Sequence, residues 1–203
     1  MKRKIAAGML LAAGLMTACG GKKADVKELK AGLVKEATLL VKQDGTVQSA
    51  IVEDFDKDYY KKDELKNFME EQIQGFNGKN GADSVVLKEN DVKDGKAVAI
   101  FNYKDMDSYI GFYKYYAPYA KVGGLTCSVE EADSQNLLEE SFTDTVGGSV
   151  SKEDILSKED ASVIAVEGQT LVQTEKAIVC ASGAEIEDAN TAKVSGSAVI
   201  VCE

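Results

Sequence analysis

The amino-acid sequence predicts an α+β fold built mainly from an antiparallel sheet, and three observations support this prediction. Two Asp-Gly pairs, Asp44-Gly45 and Asp94-Gly95, each separate two runs of apolar and β-branched residues. Such a pair is a strong hairpin signal, because a type I′ turn needs positive φ at both central residues. A stretch with helical apolar spacing follows each hairpin, and the chain after residue 123 becomes rich in Ser, Thr, Val and Ala, which favours strands.

The region 36–119 is interpreted as two copies of a strand–turn–strand–helix unit. Four antiparallel strands with two helices on one face would bury the apolar side of each helix. Asp105 is expected to cap the second helix by accepting a backbone hydrogen bond in its first turn. The predicted strands are 38–41, 47–55, 84–87 and 96–103. The apolar side of the first helix is formed by Leu65, Phe68, Met69, Ile73 and Phe76, and that of the second helix by Met106, Tyr109, Ile110 and Tyr113.

Shorter elements are predicted on both sides of this region. Apolar residues at helical spacing predict an N-terminal helix over 26–35, with Gly32 inside it. Ser128 and Ser151 each precede an acidic residue by three positions, which is the capping pattern of a helix start. The rest of the C-terminal part is expected to be β-rich, with strands at 140–145, 162–166, 170–173, 177–181, 192–195 and 198–202.

The first nineteen residues carry the pattern of an export signal. A basic start is followed by an apolar run over 5–16, which is too short to span a bilayer as a helix. The last five residues, Leu15-Met16-Thr17-Ala18-Cys19, resemble the lipobox of bacterial lipoproteins, in which the cysteine receives a diacylglyceryl group and becomes the new N-terminus. The resemblance implies lipidation at Cys19 and a lipid-anchored position on the extracytoplasmic face of the cell membrane.

The predicted organisation therefore has four parts, of which the last two are expected to pack as one unit. They are a lipoprotein signal peptide at 1–18, the lipidated cysteine and a short tether at 19–25, the ββα-ββα part at 26–122 and the β-rich part at 123–203.

Composition excludes several classes of function. The chain has no histidine, which removes Ser-His and Cys-His nucleophile pairs, an imidazole general base and zinc sites that contain histidine. With 24 Lys and Arg against 34 Asp and Glu, the net charge of −10 disfavours nucleic acid as a partner and leaves the lipid as the contact with the membrane. No phosphate-binding glycine loop or nucleophile elbow is present, and no cofactor is predicted.

The acidic run 53–58 is a weak candidate for a calcium loop. Asp54, Asp56 and Asp58 are spaced like the first three ligands of such a loop, but Tyr59 stands where the loop needs glycine and Leu65 where it needs glutamate. The alternative is a solvated loop whose acidic residues favour the positive end of the following helix.

Six aromatic residues within eleven positions form the second candidate site. They fit a recognition surface for a protein, a peptide or a glycan, since tyrosine offers a large rigid contact area with a polar tip. The alternative, which helical spacing favours, is a helix buried between two halves of the protein. The six are Tyr109, Phe112, Tyr113, Tyr115, Tyr116 and Tyr119.

Three cysteines remain after Cys19. Cys180 and Cys202 lie in consecutive predicted strands, so a disulfide between them and a pair of buried free thiols are both consistent with the sequence. Cys127 has no histidine partner that could activate it as a nucleophile.

The lipobox, the run 44–60, the Asp63-Glu64-Leu65 helix start and the Lys93-Asp94-Gly95 turn together resemble small lipoproteins of uncharacterised function from anaerobic gut Firmicutes. The resemblance implies an envelope location and one folded unit, and it assigns no activity, ligand or site residue. The sequence thus favours a non-enzymatic binding module anchored to the membrane, with a structural or accessory envelope lipoprotein as the alternative.

Overall fold

The computed structural model describes residues 28–139 and 141–203. The signal sequence, Cys19 and the tether lie outside the described residues. None of the described helices is long and apolar enough to cross a membrane. The strands are β1 (Thr38–Val41), β2 (Val47–Asp54), β3 (Val85–Lys93), β4 (Lys96–Tyr103), β5 (Gly123–Ser128), β6 (Ser141–Asp144), β7 (Ser149–Ser151), β8 (Ser162–Thr174), β9 (Ile178–Asp188) and β10 (Thr191–Cys202), and the helices are α1 (Lys62–Asn80), α2 (Met106–Tyr116), α3 (Val129–Ser134) and α4 (Lys152–Leu156).

The predicted α+β class is confirmed, and the described residues form a ten-stranded, mostly antiparallel sheet with four helices. The duplication is not confirmed, because the two proposed copies differ in their parts. Helix α1 has 19 residues and α2 has 11, while β1 has 4 residues and β3 has 9 with a bulge between Leu87 and Glu89. The caps expected for the later helices are present: Asp105 accepts from the Ser108 N–H, and Ser151 and Asp154 form a complete capping box.

The two Asp-Gly hairpins differ from each other. Asp94 and Gly95 both have positive φ, 51° and 74°, so they form the predicted two-residue type I′ turn between β3 and β4. The first hairpin has one more loop residue: the Lys42 N–H donates to the Thr46 carbonyl at 3.0 Å, and only Gly45 has positive φ, at 82°. The type I′ prediction is therefore wrong for the β1–β2 turn.

Strand β8 joins the N-terminal and C-terminal parts into one sheet. The strand order is β3-β4-β2-β1-β8-β10-β9-β6-β7, with β5 attached to β8. The first half of β8 pairs antiparallel with β5 over Ser162–Glu167, and its second half pairs in parallel with β1 over Leu171–Thr174. Both predicted parts, 26–122 and 123–203, thus contribute strands to the same sheet.

Helices cover both faces of this sheet. Successive side chains of a strand point to opposite faces of the sheet. Ile200 therefore packs in the core beneath α1 and α2, and Val201 packs in the core beneath α3 and α4. A third cluster lies on the other side of β1 from Leu39, where Leu40 contacts the N-terminal segment. The sheet is therefore buried on both sides over much of its area.

The N-terminal segment does not form the predicted helix. Over the described residues 28–36 it has no helical assignment and makes a turn, with the Leu33 N–H donating to the Lys30 carbonyl at 2.9 Å. Leu29 and Ala31 are buried on the sheet. The Leu29 N–H donates to Gln48 Oε1 and the Ala31 N–H donates to Glu89 Oε2, both at 2.8 Å, so hydrogen bonds to the sheet replace those of a helix.

A glycine occurs at the same level in three adjacent strands. Gly168 of β8 is paired with Gly196 of β10, and their φ values are 147° and 153°. Gly183 of β9, with φ of 70°, lies where the pairing of β9 and β10 shifts register. Because only glycine adopts these conformations readily, a side chain at any of the three positions would strain the backbone.

Candidate functional site

The predicted aromatic surface on α2 is largely part of the core. Tyr109 and Phe112 are buried, and the partly buried Tyr113 and Tyr116 pack against the same core. Tyr109 lies edge-on to Tyr103 of β4 and to Tyr113, with ring centroids 5.2 Å apart in both pairs. The helix therefore adopts the buried arrangement that helical spacing favours.

Two of the six aromatic residues remain accessible. Tyr115 is 38% exposed, and Lys79 of α1 lies over its ring, with Nζ 5.2 Å from the ring centroid. Tyr119 lies beyond the end of α2 and is 98% exposed. A recognition role for all six residues would require most of the core beneath α2 to open.

Buried tyrosine hydroxyls lie beneath α2. The Tyr103 and Ser49 hydroxyls are 3.0 Å apart in the core, and burial raises the pKa of Tyr103 well above its ordinary value. Burial likewise raises the pKa of Tyr113, although a hydrogen bond with Tyr116 partly offsets this effect. These phenols stay neutral at physiological pH and act as hydrogen-bonding groups of the core.

An exposed aromatic cluster occurs instead in the loop between β2 and α1. It consists of Phe55, Tyr59 and Tyr60, and we call it the aromatic loop. Phe55 and Tyr60 are stacked, with centroids 4.9 Å apart and planes at 29°, and Tyr59 lies edge-on to Tyr60 at 4.9 Å. Tyr59 is 72% exposed and Tyr60 is 38% exposed. Tyr60 therefore contacts both other rings, and the two tyrosines lie at the surface while Phe55 is partly buried.

Backbone pairing fixes the base of the aromatic loop. The Phe55 N–H donates to the Gly95 carbonyl at 2.7 Å, which ties the loop to the type I′ turn between β3 and β4. The Tyr60 N–H donates to the Lys57 carbonyl at 2.9 Å and closes a turn inside the loop. Sequence analysis considered this segment as a candidate site only for its acidic residues, although the three aromatic residues among five polar ones in 53–60 already indicated rings near the surface.

The acidic residues of this loop pair with lysines. Asp54 accepts a hydrogen bond from Lys96, which lowers the pKa of the Asp54 carboxyl, and Asp56 forms an ion pair with Lys57 at 3.1 Å. Within 28–139 and 141–203, no three acidic or cysteine side chains converge as metal ligands would. Asp54 and Asp56 thus pair with lysines in this structure, and a calcium loop at Asp54, Asp56 and Asp58 stays a prediction of the sequence.

The three cysteines among the described residues, Cys127, Cys180 and Cys202, are free thiols. Cys180 pairs in register with Val201 and packs beneath α3 and α4, whereas Cys202 lies on the opposite face, in the core beneath α1 and α2. Of the two arrangements that the sequence left open, the structure contains the free thiols and not the disulfide, because the two side chains point to different sides of the sheet. Burial raises the pKa of Cys180 to about 11 and that of Cys202 to about 12. Burial also raises the pKa of Cys127.

A shallow cleft of about 310 Å³ lies next to Gly168 and Gly196, whose neighbours Glu167 and Ser197 line it. Its floor comes from β5, β8 and β10, and its wall comes from the segment between α3 and β6. Polar atoms are contributed by Glu139, Glu167 and Ser197, and apolar contacts by Leu125, Leu137, Ala165 and Val199. Sequence analysis did not identify this site, because its residues meet only through strand register.

No family model matches this chain, and comparisons with curated proteins and with solved structures found no match either. The aromatic loop and the cleft are therefore interpreted from their own geometry.

Proposed function

We propose that this protein is a lipid-anchored binding module on the extracytoplasmic face of the membrane, without catalytic activity of its own. The observation that carries the proposal is the aromatic loop, in which Tyr59 and Tyr60 contact each other at the surface and Tyr60 stacks on the partly buried Phe55. Tyrosine is suited to recognition, because it combines a large contact area with a polar hydroxyl and loses little conformational entropy on binding. The lipobox pattern supports the location.

The order of the aromatic loop favours binding over a purely solvated role. Stacking of Phe55 on Tyr60 and the hydrogen bond from Phe55 to Gly95 hold the rings before any partner arrives. A preorganised surface binds more tightly, because less freedom is lost in the complex. Tyr59, the most exposed of the three rings, is expected to contribute most of the contact.

The charges around the rings favour a polypeptide partner. Asp56 and Asp58 are exposed beside the aromatic loop, and the chain as a whole is acidic. A segment that carries Lys or Arg next to apolar residues would contact the rings and the carboxylates together. A glycan is the competing partner, because it also stacks on aromatic rings.

The docked N-terminal segment limits how far this surface can lie from the membrane. Leu29 is held to the sheet by Gln48, and nine positions separate Cys19 from Glu28. At about 3.3–3.6 Å per residue, such a tether reaches roughly 30 Å. We infer that the domain works close to the bilayer.

The alternative is a structural or accessory envelope lipoprotein without a small-molecule ligand. The burial of four of the six α2 aromatic residues favours it, since it removes most of the surface first expected to bind. The two functions differ in whether the exposed rings contact a specific partner.

The anchor is tested first by substituting Cys19→Ser in the full chain. Metabolic labelling with a fatty-acid analogue and membrane fractionation are the measurements. We expect the unchanged chain to incorporate label and to sediment with membranes, and the variant to do neither. Equal labelling of both chains would contradict lipidation at Cys19.

The partner is tested by placing a photo-crosslinking amino acid at position 58 in cells that make the full chain. We expect a defined crosslinked product that survives glycosidase treatment and falls at least fivefold when Tyr59→Ser and Tyr60→Ser are added. Tyr119→Ser is the matched control, because this ring is equally accessible but lies elsewhere.

Three results would overturn or change the proposal. Loss of the product with Tyr119→Ser alone would assign recognition to the end of α2. A product that glycosidase removes would identify a glycan partner. The absence of any product specific to position 58 would favour the structural alternative.

A further inference from the structure

The floor of the cleft is two rows of residues that cross three strands. In the first row, Leu125 of β5, Ala165 of β8 and Val199 of β10 are register partners. The second row contains Gly123, Glu167 and Ser197 in the same strand order. The first row is apolar and the second is polar. The two rows are about 7 Å apart, because that is the distance between alternate residues of a strand.

Small residues make this floor a depression. Gly123 carries no side chain, and a Cβ placed there would lie 3.2 Å from Glu167 Oε2, so the glycine leaves room for the carboxylate to lie across β5. Leu137 borders the floor from the side and is partly buried against the core beneath α3 and α4. An aliphatic chain of a few carbons would therefore find apolar contacts on the floor and along one wall.

The charged groups at the cleft are carboxylates. Glu139 on the wall accepts a hydrogen bond from the Ser182 hydroxyl at 2.7 Å, and Ser182 is the β9 partner of Val199. Glu167 stands on the floor, and within the part of the chain that the structure describes its side chain has neither an ion pair nor a hydrogen bond. Among the described residues that line the cleft there is no Lys or Arg. A cation is the charge that complements this site.

We propose that this cleft binds an alkylammonium group, with its aliphatic chain on the row of Leu125, Ala165 and Val199 and its ammonium beside Glu167. Two sources share this chemistry: a free aliphatic amine and the lysine side chain of a peptide. The volume of about 310 Å³ is at the lower end of the roughly 300–1,000 Å³ typical of ligand sites, which fits a short chain rather than a large cofactor. The site is separate from the aromatic loop, so each proposal can fail without the other.

The test is a titration of the full chain, as the unlipidated Cys19→Ser form, with pentylamine, followed by methyl NMR. We expect the signals of Leu125, Leu137 and Val199 to shift with a dissociation constant on the order of 1 mM. 1-Pentanol is the neutral probe of the same length and is expected to bind about fivefold more weakly, since it lacks the charge.

Two variants distinguish the effect of the Glu167 carboxylate on binding from the effect of the protein's overall negative charge. Glu167→Gln is expected to weaken pentylamine binding about fivefold, while Glu185→Gln, an exposed change of equal charge on β9, is expected to leave it unchanged. Ala165→Leu fills the floor and is expected to abolish the shifts. The thermal midpoint of each variant shows whether it is folded.

Several outcomes would overturn the proposal. The first two are methyl signals that shift equally with pentanol and pentylamine, and shifts of signals outside the cleft. The other two are an effect of Glu185→Gln as large as that of Glu167→Gln, and unchanged binding in a folded Ala165→Leu variant. A blocked tripeptide Gly-Lys-Gly distinguishes the sources: tighter binding of the peptide identifies a lysine side chain, and tighter binding of pentylamine identifies a free amine.

Discussion

The side-chain amide of Asn77 pairs with both backbone groups of Val85. Asn77 Nδ2 donates to the Val85 carbonyl at 2.8 Å, and the Val85 N–H donates to Asn77 Oδ1 at 3.0 Å. One side chain of helix α1 thus makes the two hydrogen bonds that a neighbouring strand would make with the first residue of edge strand β3. Covering an exposed edge in this way disfavours pairing with another chain.

The substitution Asn77→Ala should therefore destabilise the fold. It removes two hydrogen bonds and leaves the buried backbone groups of Val85 without partners, so we expect the free energy of unfolding to fall by about 2 kcal/mol. Urea unfolding is the measurement. Asn80→Ala is the control in the same helix; it removes one bond to the Phe76 carbonyl, and an equal loss there would contradict this role of Asn77.

Gly183→Ala should be among the most damaging substitutions in the C-terminal part. The new Cβ would lie 2.2 Å from the Ser197 carbonyl oxygen, and φ of 70° disfavours any side chain. We expect a loss of at least about 2 kcal/mol in the free energy of unfolding. Gly32→Ala, where a Cβ meets no atom within 4 Å, is the matched control and should change stability by less than about 0.5 kcal/mol. Similar losses at both positions would contradict the steric argument.

Glu53 should make the free energy of unfolding fall as pH rises, whereas a carboxylate paired with a cation would make it rise. Burial, and secondarily the charge of Asp54, raise the pKa of Glu53 above its ordinary value of 4.5, although Lys96 opposes this. Between these two pKa values the folded protein binds more protons than the unfolded chain, so the stability contribution of Glu53 falls as pH rises through that window and stays low above it.

Glu53→Gln should remove this contribution. Relative to the unchanged protein, the variant is expected to gain stability on going from pH 4 to pH 7, measured by urea unfolding at both values. Glu185→Gln, on an exposed position of β9, should show no such gain. A variant that loses stability over the same range would show that the Glu53 carboxylate is stabilised rather than disfavoured in the folded state.

The thiols of Cys180 and Cys202 should remain free under oxidising conditions. Because they lie on opposite faces of the sheet, a bond between them would need the C-terminal strands to rearrange. A thiol reagent should modify both only after denaturation, and a reductant should leave the thermal midpoint of the Cys19→Ser chain unchanged. A midpoint that falls with the reductant would indicate a bridge.

Local signals predicted much of the fold, and non-local contacts account for the rest. The turn at Asp94-Gly95 and the caps at Asp105 and Ser151 depend on residues within a few positions, and the structure contains them. The N-terminal helix was wrong because Gln48 and Glu89 offer hydrogen bonds to that segment from far along the chain.

The candidate sites were harder to predict for the same reason. Helical spacing placed the α2 aromatic residues on faces of a helix, but spacing alone does not show which faces the sheet covers. Tyr59 and Tyr60 are exposed because the loop between β2 and α1 lies at the end of the β3–β4 hairpin, a tertiary relation. The cleft depends on the register of three strands, which no segment of the sequence specifies by itself.

The parallel pairing of β1 with β8 also sets an order of events for a growing chain. The Thr170 hydroxyl donates to the Ala37 carbonyl across 133 residues of sequence, and Thr38 to Val41 are paired with the residues that follow. Until that part of β8 has been synthesised, one side of β1 has no partner. Contacts over such a separation slow folding, so this side of β1 is expected to stay unpaired until β8 has been synthesised.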